Sequence, residues 1–369
     1  MKRFMSLALL ALAAGSAVFA AEEVKTLAIG AAAPDFNLTG VDGRRYTLKD
    51  FADAKVLVLV FTANHCPTAQ AYEERIKQIA ADHKDKGVQV VAISSNDPQA
   101  LRLNEMGYTD VGDTFEDMKL RAKDQNFAFP YLYDGDTQEV ARAYGPVATP
   151  HVFVFDAERK LRYVGRIDNA ERLRAVKTND LRNALDALLA GRPVPVEVTK
   201  PFGCSLKWAE KREDVKRYMD QLAAQEVTVK KISPDELKAI LANRSDKVRL
   251  VNVWATWCPP CVREFPDLVT IHRMYGHRPF ELITVSADMP DQEKEVIAFL
   301  KKHQAAGTNY LFDSEDRDAL VQVLGKDWPG AIPYSLLIRP GGEVALKVVG
   351  LIDPLEMKRA IVKEIGRTY

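Results

Sequence analysis

The chain contains 369 residues, which is enough for two domains with full cores, because single domains mostly contain about 100–200 residues. Hydrophobic residues make up 47% and charged residues 28% of the chain, a composition typical of globular proteins and unlike that of collagen or a disordered chain. Lys plus Arg and Asp plus Glu both number 51, so the charge balance gives no support to a nucleic-acid-binding protein or a membrane-surface protein.

Residues 1–20 have the pattern of a secretory signal peptide. Lys2 and Arg3 precede an apolar run, and small residues stand at Val18 and Ala20, the two positions that a signal peptidase reads. The apolar run is too short to span about 30 Å of hydrocarbon, and no cysteine follows the predicted cut to carry a lipid. We therefore expect cleavage after Ala20 and a protein that is soluble after export to the periplasm or an equivalent compartment.

The first half of the mature chain contains a series of apolar segments that predict buried strands. A polar insertion at residues 97–118 interrupts the series, and Thr114 is predicted to cap a helix within it. The landmark segments of this half are VLVLVFTA (56–63), VQVVAISSND (88–97), PYLYD (130–134), ATPHVFVFD (148–156) and YVGRID (163–168).

A proline-punctuated segment follows, and we predict a linker over residues 191–232 that contains Cys204 and a helix. After the linker, Ser233 combines an N-cap serine with Pro234 at the first helical position and Glu236 at the third. These are three agreeing signals of a helix start, and they open the second half of the chain.

The second half repeats the landmarks of the first in the same order, at an offset of about 180–190 residues, which indicates duplication of a whole domain. Each copy is predicted to be an α/β fold of the pattern β-α-β-α-β-β-α, with helices covering both faces of a mixed sheet. We place the two domains at residues 27–190 and 233–369. The repeated segments are RLVNVWAT (249–256), FELITVSADM (280–289), NYLFD (309–313), AIPYSLLIR (331–339) and VVGLID (348–353).

The four cysteines, Cys66, Cys204, Cys258 and Cys261, are few for an exported chain of this length. Domains of this size bury enough apolar surface without disulfide staples, so the cysteines indicate redox chemistry rather than a disulfide scaffold. Their even number allows pairing.

Two of the cysteines lie in the motif Trp257-Cys258-Pro259-Pro260-Cys261, at a predicted strand end and helix start. The free N–H groups and positive dipole of a helix N-terminus stabilise a thiolate, which makes Cys258 a nucleophile. Cys261 lies one helical turn away and can resolve a mixed disulfide at Cys258. Zinc needs four ligands, and neither a second such motif nor a suitable histidine pair is present, so redox chemistry is the better interpretation.

The stretch NVWATWCPPCVREFP resembles the TlpA/ResA branch of the thioredoxin superfamily, a group of exported thiol-disulfide oxidoreductases. The resemblance covers residues 233–369 and includes Pro266 and the pair Ile332-Pro333. It implies a thioredoxin-like fold without a cofactor, protein disulfides or dithiols as substrates and a membrane-bound electron donor. It also implies that Pro333 is cis and stands against the active disulfide, where the substrate backbone docks.

One position departs from thioredoxins proper, which carry a buried aspartate six residues before the first cysteine. Asn252 stands there, so another group must transfer the proton of the resolving thiol. The family pattern suggests Glu264; the alternative is a glutamate on the helix surface.

The matching junction in the first copy reads Asn64-His65-Cys66-Pro67-Thr68, and it has Ala69 where a second cysteine would stand. Cys66 is expected to share the lowered pKa of a helix N-terminus. His65 could donate to the thiolate when protonated, or it could be an exposed histidine.

The first copy resembles the AhpC/TSA (peroxiredoxin-like) families from Ile29 to Trp208. The resemblance rests on NHCPTA, FPYLYDGDTQEVARAYG, Thr149-Pro150 before a strand, YVGRID and FGCSLKW. Peroxiredoxins proper place a proline seven residues and a threonine three residues before the reactive cysteine. Those positions hold Leu59 and Ala63. These two departures weigh against peroxides as substrates, although the resemblance implies them. Arg162 and Arg166 are candidates for the cation that would polarise a peroxide, or they are charges at a strand edge.

With Cys258 and Cys261 paired, Cys204 is the remaining candidate partner of Cys66. It follows the last helix of the first domain, which in a thioredoxin fold packs beside the sheet, so a short extension could return to Cys66. The alternative is a buried or free thiol.

The sequence thus favours an exported thiol-disulfide oxidoreductase that reduces protein disulfides in the cell envelope. One alternative is a peroxidase at Cys66 with the second domain as its built-in reductase. Another is a non-enzymatic docking role for the first domain, with Cys66 incidental.

Overall fold

A computed structural model describes residues 24–325 and 328–366. The predicted signal peptide lies outside the described residues. No helix within the described ranges has the length and apolar character needed to cross a membrane.

The strands of the described chain are β1 (Asn37–Gly40), β2 (Arg45–Thr47), β3 (Val56–Thr62), β4 (Val88–Ser94), β5 (Tyr131–Tyr133), β6 (His151–Phe155), β7 (Leu161–Gly165), β8 (Lys230–Ile232), β9 (Val248–Trp254), β10 (Phe280–Ser286), β11 (Thr308–Phe312), β12 (Tyr334–Ile338) and β13 (Val344–Val349). Its α-helices are α1 (Pro67–His83), α2 (Phe115–Asp124), α3 (Glu139–Tyr144), α4 (Asp180–Leu189), α5 (Arg212–Ala223), α6 (Pro234–Leu241), α7 (Pro259–Tyr275), α8 (Glu293–Lys302), α9 (Arg317–Leu324) and α10 (Pro354–Ile365).

The first sheet has seven strands in the order β2-β1-β5-β4-β3-β6-β7. Strand β3 pairs in parallel with β4 and antiparallel with β6, so the sheet is mixed. Every residue of β3 is buried, because α1, α2 and α4 pack on one face of the sheet and α3 packs on the other. The cysteine junction therefore follows a fully buried central strand of the domain.

The second sheet has six strands in the order β13-β12-β9-β10-β11-β8. Strand β9 occupies the place of β3, parallel to β10 and antiparallel to β12. Helices α7, α8 and α10 cover one face, and α6 and α9 cover the other. The mixed sheets flanked by helices confirm the predicted fold class. The predicted pattern has four strands and three helices per copy, and the described residues contain more of both: seven strands and four α-helices in the first domain, and six strands and five α-helices in the second. Among the added strands, the PYLYD and NYLFD segments form β5 and β11 and join the sheets.

Residues 194–208 pack on the first domain. Val194 and Leu206 enter its two core clusters, and Val198 forms a bridge to Val164 on β7. This extension of the chain returns to the sheet edge as far as Cys204, which forms an antiparallel bridge to Thr149.

The polar insertion of the first domain contacts the second domain. The hydroxyl of Tyr275, the last residue of α7, donates to the carbonyl oxygen of Thr109 at 2.7 Å. Arg278 donates to the carbonyl oxygen of Gly107 at 2.9 Å. Arg359 on α10 forms ion pairs with Asp110 and with Asp124 of α2. The insertion is therefore a docking element between the two copies.

Candidate active site

The second domain places Cys258 at the N-cap of α7, directly after β9. The helix forms here because Pro259 and Pro260 occupy its first turn, where a missing N–H removes no helical hydrogen bond. Cys258 and Cys261 form a disulfide with a Cα–Cα distance of 5.3 Å. The N–H of Cys261 also donates to Cys258 Sγ at 3.2 Å, so the helix N-terminus points at this sulfur.

The surroundings of Cys258 combine a backbone edge with an open surface. The Ile332–Pro333 peptide bond is cis, and the carbonyl oxygen of Ile332 lies 3.7 Å from Cys258 Sγ. Trp257 is 60% exposed. Trp257, Ile332 and Leu320 line a cavity of about 210 Å³ beside the disulfide.

The loop that carries Trp257 is fixed by the buried Asp288. The N–H and hydroxyl of Thr256 both donate to Asp288, at 3.0 and 2.6 Å, and the hydroxyl of Ser286 donates to it at 2.6 Å. Asp288 therefore holds the residues just before the motif against the end of β10.

Glu264 is buried on α7, one turn after Cys261. Its carboxylate accepts from the side chain of Asn252 at 2.8 Å and from the N–H of Ile352 at 3.0 Å. Burial raises the pKa of Glu264 despite these two hydrogen bonds. The alternative of a surface glutamate is wrong, because Glu264 is buried and the loop before α10 contacts its carboxylate through Ile352.

In the first domain Cys66 is the N-cap of α1, again directly after the central strand. The N–H of Ala69 donates to Cys66 Sγ at 3.3 Å. The Cys66 thiol donates to the carbonyl oxygen of Thr149 at 3.2 Å, and the Thr149–Pro150 peptide bond is cis. The geometry around Cys66 thus repeats the geometry around Cys258.

The extension of the first domain supplies a second cysteine, which α1 lacks because Ala69 stands at the position that corresponds to Cys261. Cys204 packs against Cys66 and Ala69, and its thiol helps to lower the pKa of Cys66. The backbone of Cys204 is held by Thr149, whose N–H donates to the Cys204 carbonyl oxygen at 2.9 Å. The structure therefore brings Cys66 and Cys204 together although they lie far apart in the sequence.

His65 forms a buried ion pair with Asp113. Its Nδ1 lies 2.5 Å from a carboxylate oxygen of Asp113, and its backbone N–H donates to the other oxygen at 3.0 Å. Asn96 donates to Asp113 at 2.7 Å and accepts from the N–H of Lys207 at 2.9 Å. This network links the cysteine loop, the insertion and the extension that carries Cys204. The alternative of an exposed His65 is wrong.

These neighbours decide the charge states in the first site. Burial lowers the pKa of His65, but the carboxylate of Asp113 outweighs it and raises that pKa above its ordinary value. Burial raises the pKa of Cys66, but the Cys204 hydrogen bond, the charge of His65 and the Thr149 side chain together lower it to about 6. The hydrogen bond to Cys66 and burial raise the pKa of Cys204. At neutral pH the pair is a Cys66 thiolate and a Cys204 thiol.

Both halves of the chain resemble known redox proteins. Residues 29–164 match the model of the AhpC/TSA family, and residues 246–344 match that of a thioredoxin-like family. Thiol-disulfide oxidoreductase ResA of Oceanobacillus iheyensis is 30% identical over 149 residues, which cover 39% of this chain and 73% of that protein. The chain belongs to the thioredoxin-like thiol-disulfide oxidoreductases.

Two further relatives are matched over part of the chain. Thiol:disulfide interchange protein DsbE of Allochromatium vinosum is 33% identical over 109 residues, and the match covers 29% of this oxidoreductase and 54% of DsbE, about half of its length. An uncharacterized conserved protein of Geobacillus kaustophilus, known from a crystal structure, is 39% identical with a TM-score of 0.44; the match covers 49% of this chain and 92% of that one.

The two arginines considered for peroxide binding in this oxidoreductase have other partners. Arg162 binds Asp156 at 2.5 Å, at the end of the sheet opposite to Cys66. Arg166 binds Asp180 at the start of α4 at 2.7 Å. The described contacts therefore support the reading of both as strand-edge charges.

Sequence analysis missed Asp113 and Asp288, each of which holds the loop beside one of the oxidoreductase's cysteine sites. Asp288 follows the end of β10, and functional polar side chains collect at the carboxyl ends of parallel strands. Its position in the sequence could therefore have identified it as a candidate site residue. Asp113 lies within the insertion, and its distance of 48 residues from His65 left no local pattern.

Proposed function

We propose that this thiol-disulfide oxidoreductase is exported and reduces disulfide bonds of protein substrates through Cys258 and Cys261. The observation that carries the proposal is the position of Cys258 Sγ, at the N-terminus of α7 and 3.7 Å from the carbonyl oxygen of Ile332. A helix N-terminus stabilises the attacking thiolate. The cavity between Trp257 and Ile332 provides room for a substrate segment beside it.

The reaction begins with the reduced motif. The Cys258 thiolate attacks a substrate disulfide, forms a mixed disulfide and releases one substrate thiolate. Cys261 then loses its proton and attacks Cys258 Sγ, which releases the second substrate thiolate and closes the Cys258–Cys261 disulfide. Glu264, buried one turn away with a raised pKa, is the group proposed to accept the Cys261 proton.

The proposed direction and location rest on the sequence. The resemblance to ResA-type proteins favours reduction of substrates, with electrons returned by a membrane-bound donor. The predicted signal peptide favours a periplasmic or otherwise exported protein. N-terminal sequencing of the protein recovered from the cell envelope tests this part, with Ala21 expected as the first residue.

The proposal includes a second redox centre formed by Cys66 and Cys204. The packing of Cys204 against Cys66 supports it, together with the pKa of Cys66 at about 6. Oxidation would join the two sulfurs and remove two electrons and two protons from the pair. Mass mapping of the mature, non-reduced protein should give a Cys66–Cys204 peptide beside a Cys258–Cys261 peptide.

Reduction of insulin disulfides, with dithiothreitol as the electron source, tests the assignment of the substrate-reducing site. Cys258→Ser should lower the rate to that of dithiothreitol alone, because the attacking sulfur is lost. Cys66→Ser is the matched control, a cysteine-to-serine change at the same junction of the other domain, and should retain most of the rate. Equal losses in the two variants, or a fully active Cys258→Ser, would contradict the assignment.

Hydroperoxide reduction at Cys66 is the second candidate function. The match to the AhpC/TSA family and the lowered pKa of Cys66 favour it. The ion pairs of Arg162 with Asp156 and of Arg166 with Asp180 weigh against it, because both guanidinium groups are bound to carboxylates rather than placed to polarise a peroxide at Cys66. Turnover of hydrogen peroxide that disappears in Cys66→Ser would establish the activity, and turnover equal to that variant would exclude it.

A further inference from the structure

The two cysteines of the first site differ in their exposure to solvent. Cys66 is 0% exposed and is enclosed by Ala63, Ala69 and Cys204. Cys204 is half-buried, and its neighbours Gly203 and Ser205 are exposed. A molecule that approaches the folded domain therefore meets Cys204 first.

The cover over Cys66 is fixed by backbone contacts. The N–H of Thr149 donates to the Cys204 carbonyl oxygen at 2.9 Å, so the extension pairs with the residue that precedes the cis proline. Gly203 has φ of +141°, and a Cβ there would overlap the carbonyl oxygen of Thr149. Phe202 packs on Tyr72 of α1 with ring centroids 6.1 Å apart. The extension thus covers Thr149, the residue before the cis proline of the first domain. The corresponding residue of the second domain, Ile332, instead borders a cavity.

We propose that external thiols and disulfides react with the first site at Cys204, and that Cys66 is its enclosed internal partner. The inference rests on the Cys66–Cys204 pairing of the proposed function. The roles of the two cysteines are therefore reversed between the sites. In the second site the cysteine at the helix N-terminus, Cys258, reacts with the substrate, whereas in the first site its counterpart, Cys66, is the internal partner.

The steps balance with a low-molecular-weight thiol as the reductant. Its thiolate attacks Cys204 Sγ, the new bond forms as the Cys66–Cys204 bond breaks, and Cys66 leaves as a thiolate. A second thiolate attacks the external sulfur of the mixed disulfide, which releases the external disulfide, and the Cys204 thiolate takes a proton from water. Two external thiols have then become one disulfide, and the pair has gained two electrons.

The electrostatics of the site favour this direction of attack. Thiol-disulfide exchange is faster when the departing sulfur is the more acidic one. The pKa of Cys66 is about 6, whereas that of Cys204 is raised, so attack at Cys204 expels the better leaving group. In the reverse reaction the buried Cys66 thiolate is held in place to resolve a mixed disulfide at Cys204.

Adduct mapping on the full mature chain tests the inference. The variant Cys258→Ser/Cys261→Ser keeps only the first-site sulfurs, and its oxidised form is first checked for a Cys66–Cys204 disulfide. Glutathione is then added, the reaction is quenched with acid and the glutathionylated peptide is identified by mass spectrometry. We expect glutathione on Cys204 and a free thiol at Cys66. Glutathione on Cys66 would overturn the inference.

Two single-thiol chains separate this inference from the pairing on which it rests. In the same background, Cys66→Ser keeps Cys204 as its remaining thiol. Cys204→Ser keeps Cys66 as its remaining thiol, and the introduced serine has nearly the same size as the cysteine that covers Cys66 in the parent chain. With 5,5′-dithiobis(2-nitrobenzoate), native Cys204 should react at least about tenfold faster than native Cys66, and the difference should vanish in denaturant. Equal or faster reaction of native Cys66 overturns the assignment of Cys204. Failure to form the Cys66–Cys204 disulfide, with Cys204 still the faster thiol, overturns the second redox centre instead.

Discussion

Replacing His65 by glutamine is expected to raise the pKa of Cys66. Asp113, 2.5 Å from His65 Nδ1, favours the protonated imidazole, whose positive charge next to the sulfur stabilises the Cys66 thiolate. Glutamine can still donate to Asp113 but carries no charge. The hydrogen bonds to Cys66 from Cys204 and Ala69 remain in the variant, so the loss is confined to the electrostatic contribution.

The size of the change follows from the burial of the pair. A nearby opposite charge lowers a pKa by about 1–3 units, and one unit corresponds to about 1.4 kcal/mol. Because other stabilising groups remain, we expect the pKa of Cys66 to rise from about 6 to about 7–8. At pH 7 the thiolate fraction should fall from roughly nine-tenths to between about a half and a tenth.

The ultraviolet absorbance of the thiolate as a function of pH measures this pKa in the Cys258→Ser/Cys261→Ser background. Asp113→Asn should act in the same direction, since His65 then loses its counter-charge. The matched control is His83→Gln, a buried histidine at the other end of α1, about 24 Å along the helix. An unchanged Cys66 pKa in both the His65 and Asp113 variants would refute the electrostatic explanation.

Three other substitutions test separate parts of the structure. Glu264→Gln removes a buried carboxyl with a raised pKa, whose charging costs stability as the pH rises; the thermal midpoint of the variant should therefore gain on the parent as the pH rises above 4.5, the ordinary pKa of a glutamate. Gly203→Ala should displace the extension from Thr149 and abolish the first-site disulfide in non-reducing mass spectra, whereas Gly191→Ala, with open space around it, should not. Arg359→Ala should weaken domain docking by about 1 kcal/mol and accelerate limited proteolysis between the domains.

The cysteine junctions could be predicted from the sequence because their determinants are local. A run of buried apolar residues forms β3 or β9, and the proline after each N-cap cysteine starts the helix. The capping box of Ser233 with Glu236 is equally local, and the structure contains it.

The contacts that tune the sites could not be predicted in this way. Asp113 reaches His65 only because the insertion folds back over the cysteine loop. Glu264 accepts a hydrogen bond from the N–H of Ile352, which is 88 residues away and follows the last strand. Both depend on how elements pack, and neither changes the periodicity or spacing of its own segment.

The separation of each cysteine pair along the chain has a consequence for oxidative folding. Cys258 and Cys261 are three positions apart and can meet in an unfolded chain. Cys66 and Cys204 are 204 − 66 = 138 positions apart, and they meet only when the extension has docked on the finished first domain. A bond between them would close a loop worth about 5 kcal/mol of denatured-state entropy. By the same relation the short Cys258–Cys261 loop contributes about 2 kcal/mol, so reduction of the Cys66–Cys204 bond would lower the free energy of unfolding of its domain by more than reduction of the Cys258–Cys261 bond would.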